Sequence, residues 1–259
     1  LSADHDRHVR ASFARQAAGF DAPGLTLSSE ELLRWMVGLL PLRPYAEVLD
    51  VAAGTGILTR AMARFAHAVT AVDMTDEMLA QARAAVAEAG LNNVSIVRGR
   101  AESLPFEYSA FDLVTARLAV HHLADAAPVL HEMVRVCRPG GCVALIDLTS
   151  PDDGEIRDAY NRLERLRDPA HTVALTPAEI AKLCADAELN VEVCEARDVE
   201  VDCARWLALT DTPEQNAEAV RSALQSELSG GPATGMRPFE RDGSLWFLQR
   251  WAVVLARRL

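Results

Sequence analysis

Two acidic residues and a glycine turn carry the strongest chemical signal in the chain. Val48-Leu49-Asp50-Val51-Ala52-Ala53-Gly54-Thr55-Gly56 reads as a buried strand running into a tight turn and then a helix. Gly54 and Gly56 let the backbone approach a ligand with no side chain in the way. Ligands of open α/β sheets bind beyond the carboxyl ends of the strands, where the strand order reverses. A dinucleotide site expects G-x-G-x-x-G, with a pyrophosphate on the helix N-terminus. Here the third glycine position is Thr59 and the strand ends in Asp50, whose carboxylate repels a pyrophosphate and suits a cationic ligand. Asp73 closes the next strand about 20 residues on, where an acid can take both hydroxyls of a ribose. Met74 beside it offers an apolar, polarisable face to a purine.

Three histidines are candidates for proton transfer. His121 and His122 follow the fourth strand at its ligand-binding end, and His171 lies beyond the fifth. Histidine titrates near neutral pH and can take a proton from a hydroxyl, a thiol or an activated carbon. His122 is the favoured base; the alternative for His121 and His122 is pocket lining, and for His171 a surface or substrate-binding role. Glu30, Glu31 and Arg34 read as a solvated helix face over Trp35 and Met36, and Trp206, Trp246 and Trp251 as packing residues. Cys137 and Cys142 read as small buried apolar residues.

These residues need a scaffold that gathers strand ends. From Glu47 to Leu148 short β-branched runs alternate with helical stretches: strands at Glu47–Val51, Val69–Val72, Val94–Val97, Phe111–Thr115 and Cys142–Leu148. Helices are expected over Ile57–Ala66, Asp76–Glu88 and Ala126–Cys137. Such alternation implies right-handed crossovers and a parallel sheet covered on both faces. Further on, helices are expected at Asp153–Arg167 and at Thr176–Ala187, the latter capped by Thr176 ahead of Pro177. Val191–Ala196 and Trp246–Leu255 read as the last strands, with Val199–Gly243 as inserted helices and loop. The expected fold is a doubly wound, mostly parallel seven-stranded α/β sheet. Residues 1–45 form a helical lid, 46–150 the ligand-binding core, and 151–259 the rest of the sheet with cap insertions at about 151–175 and 199–245.

Composition narrows the partners. Half of the 259 residues are hydrophobic, and the net charge is −11, with no basic stripe to bind a phosphate backbone. Nucleic acid is therefore not an expected partner. The five cysteines are odd in number and lack C-x-x-C spacing, which fits reduced thiols rather than a disulfide frame or a zinc site, and no metal is expected. No apolar run reaches bilayer length and the opening residues are polar, so the expectation is a cytoplasmic protein with no membrane partner.

The ordered stretches Asp50–Gly56, Asp73, Ala101-Glu102-Ser103-Leu104-Pro105-Phe106, Phe111-Asp112-Leu113-Val114 and Arg138-Pro139-Gly140-Gly141 resemble the motifs of class I S-adenosylmethionine-dependent methyltransferases. The nearest likeness is to the ubiquinone/menaquinone-biosynthesis C-methyltransferase group (methyltransferase type 11). Phe13–Phe20 resembles that group's N-terminal lid, and Arg167-Asp168-Pro169-Ala170-His171 a stretch seen in some bacterial members. The resemblance implies S-adenosylmethionine as cofactor and S-adenosylhomocysteine as product. It places the methionine part on the backbone at Ala52 and Gly54, the ribose on Asp73, the adenine between Met74 and the loop Arg100-Ala101-Glu102, and Phe20 over the site. Arg117 is implied to offer its carbonyl to the amino group. Arg100 departs from the family's usual Asp. Arginine has donors only, so either the backbone at Ala101 reads the adenine or the loop is rearranged.

The function implied is C- or O-methylation of a small-molecule acceptor, and the Ala- and Arg-rich composition suggests a GC-rich bacterial genome and specialised metabolism. Three alternatives stay open at this point: a related enzyme using the cofactor only as a charge for cyclisation or rearrangement, a nicotinamide-dependent dehydrogenase, and a non-catalytic cofactor-binding subunit.

Overall fold

The computed structural model describes residues 2–22 and 24–259. Its strands are β1 (Glu47–Val51), β2 (Ala68–Asp73), β3 (Val94–Arg98), β4 (Phe111–Arg117), β5 (Cys137–Thr149), β6 (Leu189–Asp202), β7 (Phe239–Arg241) and β8 (Ser244–Arg258). The α-helices are α1 (Ser2–Gln16), α2 (Glu30–Leu39), α3 (Ile57–Ala63), α4 (Asp76–Glu88), α5 (Ala127–Val136), α6 (Gly154–Arg167), α7 (Pro177–Asp186), α8 (Cys203–Leu209) and α9 (Glu214–Leu228).

The sheet runs β3-β2-β1-β4-β5-β8-β6, with β7 attached to β8 as a short hairpin partner. The pairings from β3 to β5 are parallel, and β8 lies antiparallel between β5 and β6. Four of the five β1 residues are buried, as expected of a strand covered on both faces. One face packs against α2, α3, α6 and α9 through residues such as Met36, Met62, Tyr160 and Val220. The other packs against α5 and α7 through Leu130, Met133 and Ile180. The order reverses at β1, which pairs with β2 on one side and β4 on the other, and a crevice opens beyond those strand ends.

Several boundaries differ from expectation, among them the start of β5, which lies at Cys137 rather than Cys142. Helix α3 stops at Ala63 because the Asn93 amide donates to the carbonyls of Ala63 and Ala66, at 2.8 and 3.2 Å, holding the chain in a turn. Strand β6 continues past Ala196 to Asp202, so Val199–Asp202 are strand rather than inserted loop. Val199 and Val201 keep the inward alternation after Arg197-Asp198, and β8 supplies their partners from Gln249 to Trp246. The outward Asp198 is neutralised by Arg237 and Arg250. Strand β8 accordingly runs from Ser244 to Arg258, beyond both ends of its expected span, and its first half pairs with the outer part of β6.

All five cysteines are free, with Cys137 and Cys142 buried. No helix among the described residues is long and apolar enough to cross a membrane.

Helix α7 begins with a complete capping box. Thr176 accepts from the Glu179 amide at 3.2 Å, and the Glu179 carboxylate accepts from the Thr176 amide at 2.8 Å. Replacing Thr176 by Ala removes the first of these bonds, and urea unfolding should show a loss of about 1 kcal/mol.

Candidate functional site

At the end of β1, Asp50 is buried and receives two hydroxyl donors: Thr59 from α3 at 2.6 Å and Thr115 from β4 at 2.9 Å. Burial pushes its carboxyl up to about 6 despite those bonds. The chain then turns through left-handed conformations at Ala52, Gly54 and Gly56, which a residue with a Cβ adopts only at a cost. Asp73 steadies the turn from the end of β2. One carboxylate oxygen accepts from the Gly54 amide at 2.9 Å and the other from the Thr75 amide at 2.8 Å. Burial raises its pKa against those bonds. Each oxygen retains a further lone pair for a ligand hydroxyl.

A large cavity, about 1430 Å³ of empty space including its open mouth, lies against this turn. Its walls include Ala52, Gly54, Asp73, Met74, Ala101 and Glu102, together with Phe20, Asp50 and Arg117. Two residues expected in the site stand outside its lining. Gly56 shapes the turn as the left-handed residue before α3. Arg100 pairs with Glu102 at 3.3 Å in a tight turn bridged to Ser103, so the loop meets the cavity through Gly99, Ala101 and Glu102 instead. Arg117 turns its side chain toward the N-terminal segment, donating to the Leu27 carbonyl at 2.6 Å.

Residues that pattern reading passed over complete the frame. Asp21 accepts from the Thr55 hydroxyl and, at 2.7 Å, from Arg60, tying the N-terminal segment to the glycine turn. Thr59, noticed only for not being glycine, is the donor that makes Asp50 tolerable. Neither role leaves a local trace in the sequence, because each partner is brought up by the fold.

A second cavity, of about 780 Å³, lies on the other side of Phe13, Phe20, Leu118 and His122, which line both. Its remaining walls mix tryptophans and aliphatic residues with charged ones, among them Arg167, Asp202 and Arg205. Trp206, Trp246 and Trp251, read as packing from the sequence, face it, and Gln16, Asp168 and Gln249 add polar edges. Gln249 is held on both sides, donating to Glu164 at 2.8 Å and accepting from the Trp251 ring N–H at 3.1 Å.

The three histidines are buried in a row, with His121 and His122 rings 4.0 Å apart and His121 and His171 rings 5.4 Å apart. His121 donates to Asp147 at 2.5 Å; burial opposes its charge, but the Asp147 carboxylate outweighs it and raises the pKa. Asp147 also accepts from the Val120 amide at 2.7 Å. Burial, with the positive His121 beside it, pushes His122 down to about 3. A carbonyl only accepts, so His122 must donate Nδ1–H to Ala170 O at 3.1 Å, which puts the lone pair on Nε2. His171 faces Asn161 at 2.8 Å and lines neither cavity; burial likewise lowers its pKa.

Residues 49–145 match the model of the methyltransferase domain. The chain is 30% identical over 194 residues to YcgJ, an uncharacterised methyltransferase of Bacillus subtilis, covering 75% of this chain and 77% of that one. It is 34% identical over 135 residues to the ubiquinone/menaquinone biosynthesis C-methyltransferase UbiE of Shewanella baltica, spanning 49% of this chain and only about half (53%) of that relative. A solved protein of Bacillus halodurans superposes with a TM-score of 0.80 at 27% identity, covering 87% of this chain and 98% of that one. The sheet order, the glycine turn with its two carboxylates and the three-quarter-length match to YcgJ agree: the chain belongs to the S-adenosylmethionine-dependent methyltransferases.

Proposed function

We propose that the chain transfers a methyl group to carbon or oxygen of a small, ring-bearing acceptor held in the aromatic-walled cavity. The observation that carries this reading is the meeting of the two cavities on Phe13, Phe20, Leu118 and His122. A donor in one and an acceptor in the other would approach each other at those four residues, where displacement at the methyl carbon needs the reacting atoms about 3–3.5 Å apart.

The larger cavity suits S-adenosylmethionine on its own chemistry. Asp73 has acceptor capacity for two ribose hydroxyls, Met74 and Ala101 supply apolar surface for adenine, and the turn at Ala52–Gly54 exposes backbone to the methionine part. When bound, the cofactor supplies a methyl group on a sulfonium that is already a good leaving group. The protein's share is to position, to exclude water and to accept a proton. Phe13 and Phe20 cover the junction, their rings 6.2 Å apart. We read the N-terminal segment as the lid, and α6, α8 and α9 with the outer half of β6 and β8 as the cap.

His122 is the proposed proton acceptor. Its low pKa keeps it neutral across the physiological range, with the lone pair on Nε2. A weak base suffices, because the nucleophile's proton becomes strongly acidic only once the methyl group has arrived. His121, locked in its ion pair with Asp147, and His171, held by Asn161, act as positioning residues.

The direct test incubates the protein with S-adenosylmethionine and a panel of hydroxylated ring compounds, following methylated product and S-adenosylhomocysteine by mass spectrometry. Conversion of an acceptor without loss of cofactor would instead favour cyclisation or rearrangement. By calorimetry, Asp73→Ala should weaken S-adenosylhomocysteine binding by about 100-fold, the worth of two hydrogen bonds to a charged acceptor, with Asp73→Asn between the two. Unchanged affinity would remove Asp73 from the ribose site. His122→Ala should lower kcat about 100-fold or more while cofactor affinity stays within a few-fold. In the wild type, kcat should show no inflection from His122 itself between pH 5 and 8, since a group titrating at about 3 is deprotonated throughout. A wild-type inflection near 6.5 that vanishes in His122→Ala would contradict the assignment of a neutral base.

A further inference from the structure

Arg117 is a buried cation beside the glycine turn, its guanidinium 5.7 Å from the centre of the Trp251 ring. It ends β4 one residue past the Val51–Ala116 register pair, which sets it beside Ala52 of the glycine turn, and it lines the larger cavity. One guanidinium nitrogen donates to the Leu27 carbonyl, while Nε is buried with no hydrogen-bond partner among the described residues. No carboxylate among the described residues comes within ion-pairing distance. Asp50 is engaged with two threonine hydroxyls and Asp21 with Thr55 and Arg60. Asp147 is engaged with His121. Burial lowers the Arg117 pKa to about 10 against the pull of those three carboxylates, which leaves it charged at neutral pH. A buried guanidinium with an unused donor is costly unless an anion arrives, and its planar fork matches a carboxylate.

Resting on the reading of this cavity as the cofactor site, we propose that the Arg117 side chain binds the α-carboxylate of the cofactor's methionine part. This differs from the role implied by resemblance, in which only the backbone carbonyl of this residue serves. The same side chain grips Leu27, so one guanidinium joins the bound amino acid to the N-terminal segment that covers it. The cofactor's charged tail thereby helps to hold the lid.

The test is calorimetric titration of the full chain with S-adenosylhomocysteine and with its decarboxylated analogue, adenosine carrying a 3-aminopropyl thioether. The wild type should prefer S-adenosylhomocysteine by about 10- to 100-fold, the worth of a charge-assisted bond or a pair of them. Arg117→Met should erase that preference, weakening S-adenosylhomocysteine well beyond any loss the decarboxylated analogue suffers from the missing Leu27 bond, and Arg117→Lys should retain part of it. Equal weakening of both ligands in Arg117→Met would make the residue merely structural and overturn the proposal. So would an unchanged preference, which would leave the guanidinium for a carboxylate on the acceptor. Should Arg117→Met fail to fold, the wild-type comparison still decides: a preference below about 2-fold rejects a carboxylate anchor. Wild-type protein that binds neither ligand would reject the cofactor site itself, an outcome distinct from the others.

Discussion

Asp50 cannot be buried as it is without hydroxyl donors on both of its oxygens, and that requirement places three segments at once. Thr59 brings in the first turn of α3, Thr115 brings in β4, and the carboxylate itself ends β1. The crevice at the reversal of strand order is therefore held by a polar joint inside an otherwise apolar layer, not by packing alone. Asp73 repeats the device one strand over, using backbone amides of the glycine turn and of the α4 entry. The turn lies between two carboxylates whose remaining acceptor capacity faces the cavity. The acidic character that makes the site unsuitable for pyrophosphate is thus the same feature that gives the turn its shape.

The histidine row follows a related logic of one charge at a time. His121 is stabilised as a cation by Asp147, and this places a positive charge within reach of His122 and His171, which burial already disfavours as cations. Three histidines that are indistinguishable by residue type thus divide into one charged and two neutral rings. Only His122 stands on the wall between the cavities.

How much of this was legible depends on the range of each interaction. The glycine turn, Asp73 and Met74 were readable because strand, turn and helix follow one another locally, and β1, α4 and the Thr176 cap appear where the pattern puts them. The grip of Asp21 on Thr55 and Arg60, the reach of Arg117 to Leu27 and the wall formed by Trp206, Trp246 and Trp251 were not readable. Each joins segments tens of residues apart. The end of α3 was missed for the same reason, since its cap is Asn93. The outer part of β6 was hidden by Arg197 and Asp198, a charged pair that reads as a loop until β8 is known to lie beside it.

The position of β8 has a consequence for the order in which the molecule can be made. Strand β5 is complete by Thr149, yet its second neighbour comes from residues 244–258, after β6, α8 and α9 have been synthesised. A nascent chain that has already formed β1 to β5 carries an unpaired edge on β5 for roughly a hundred residues of synthesis, several seconds or more at ordinary elongation rates. Within that interval the half of the sheet beside the larger cavity lacks its neighbour, and the final strand closes the edge and completes the wall of the second cavity.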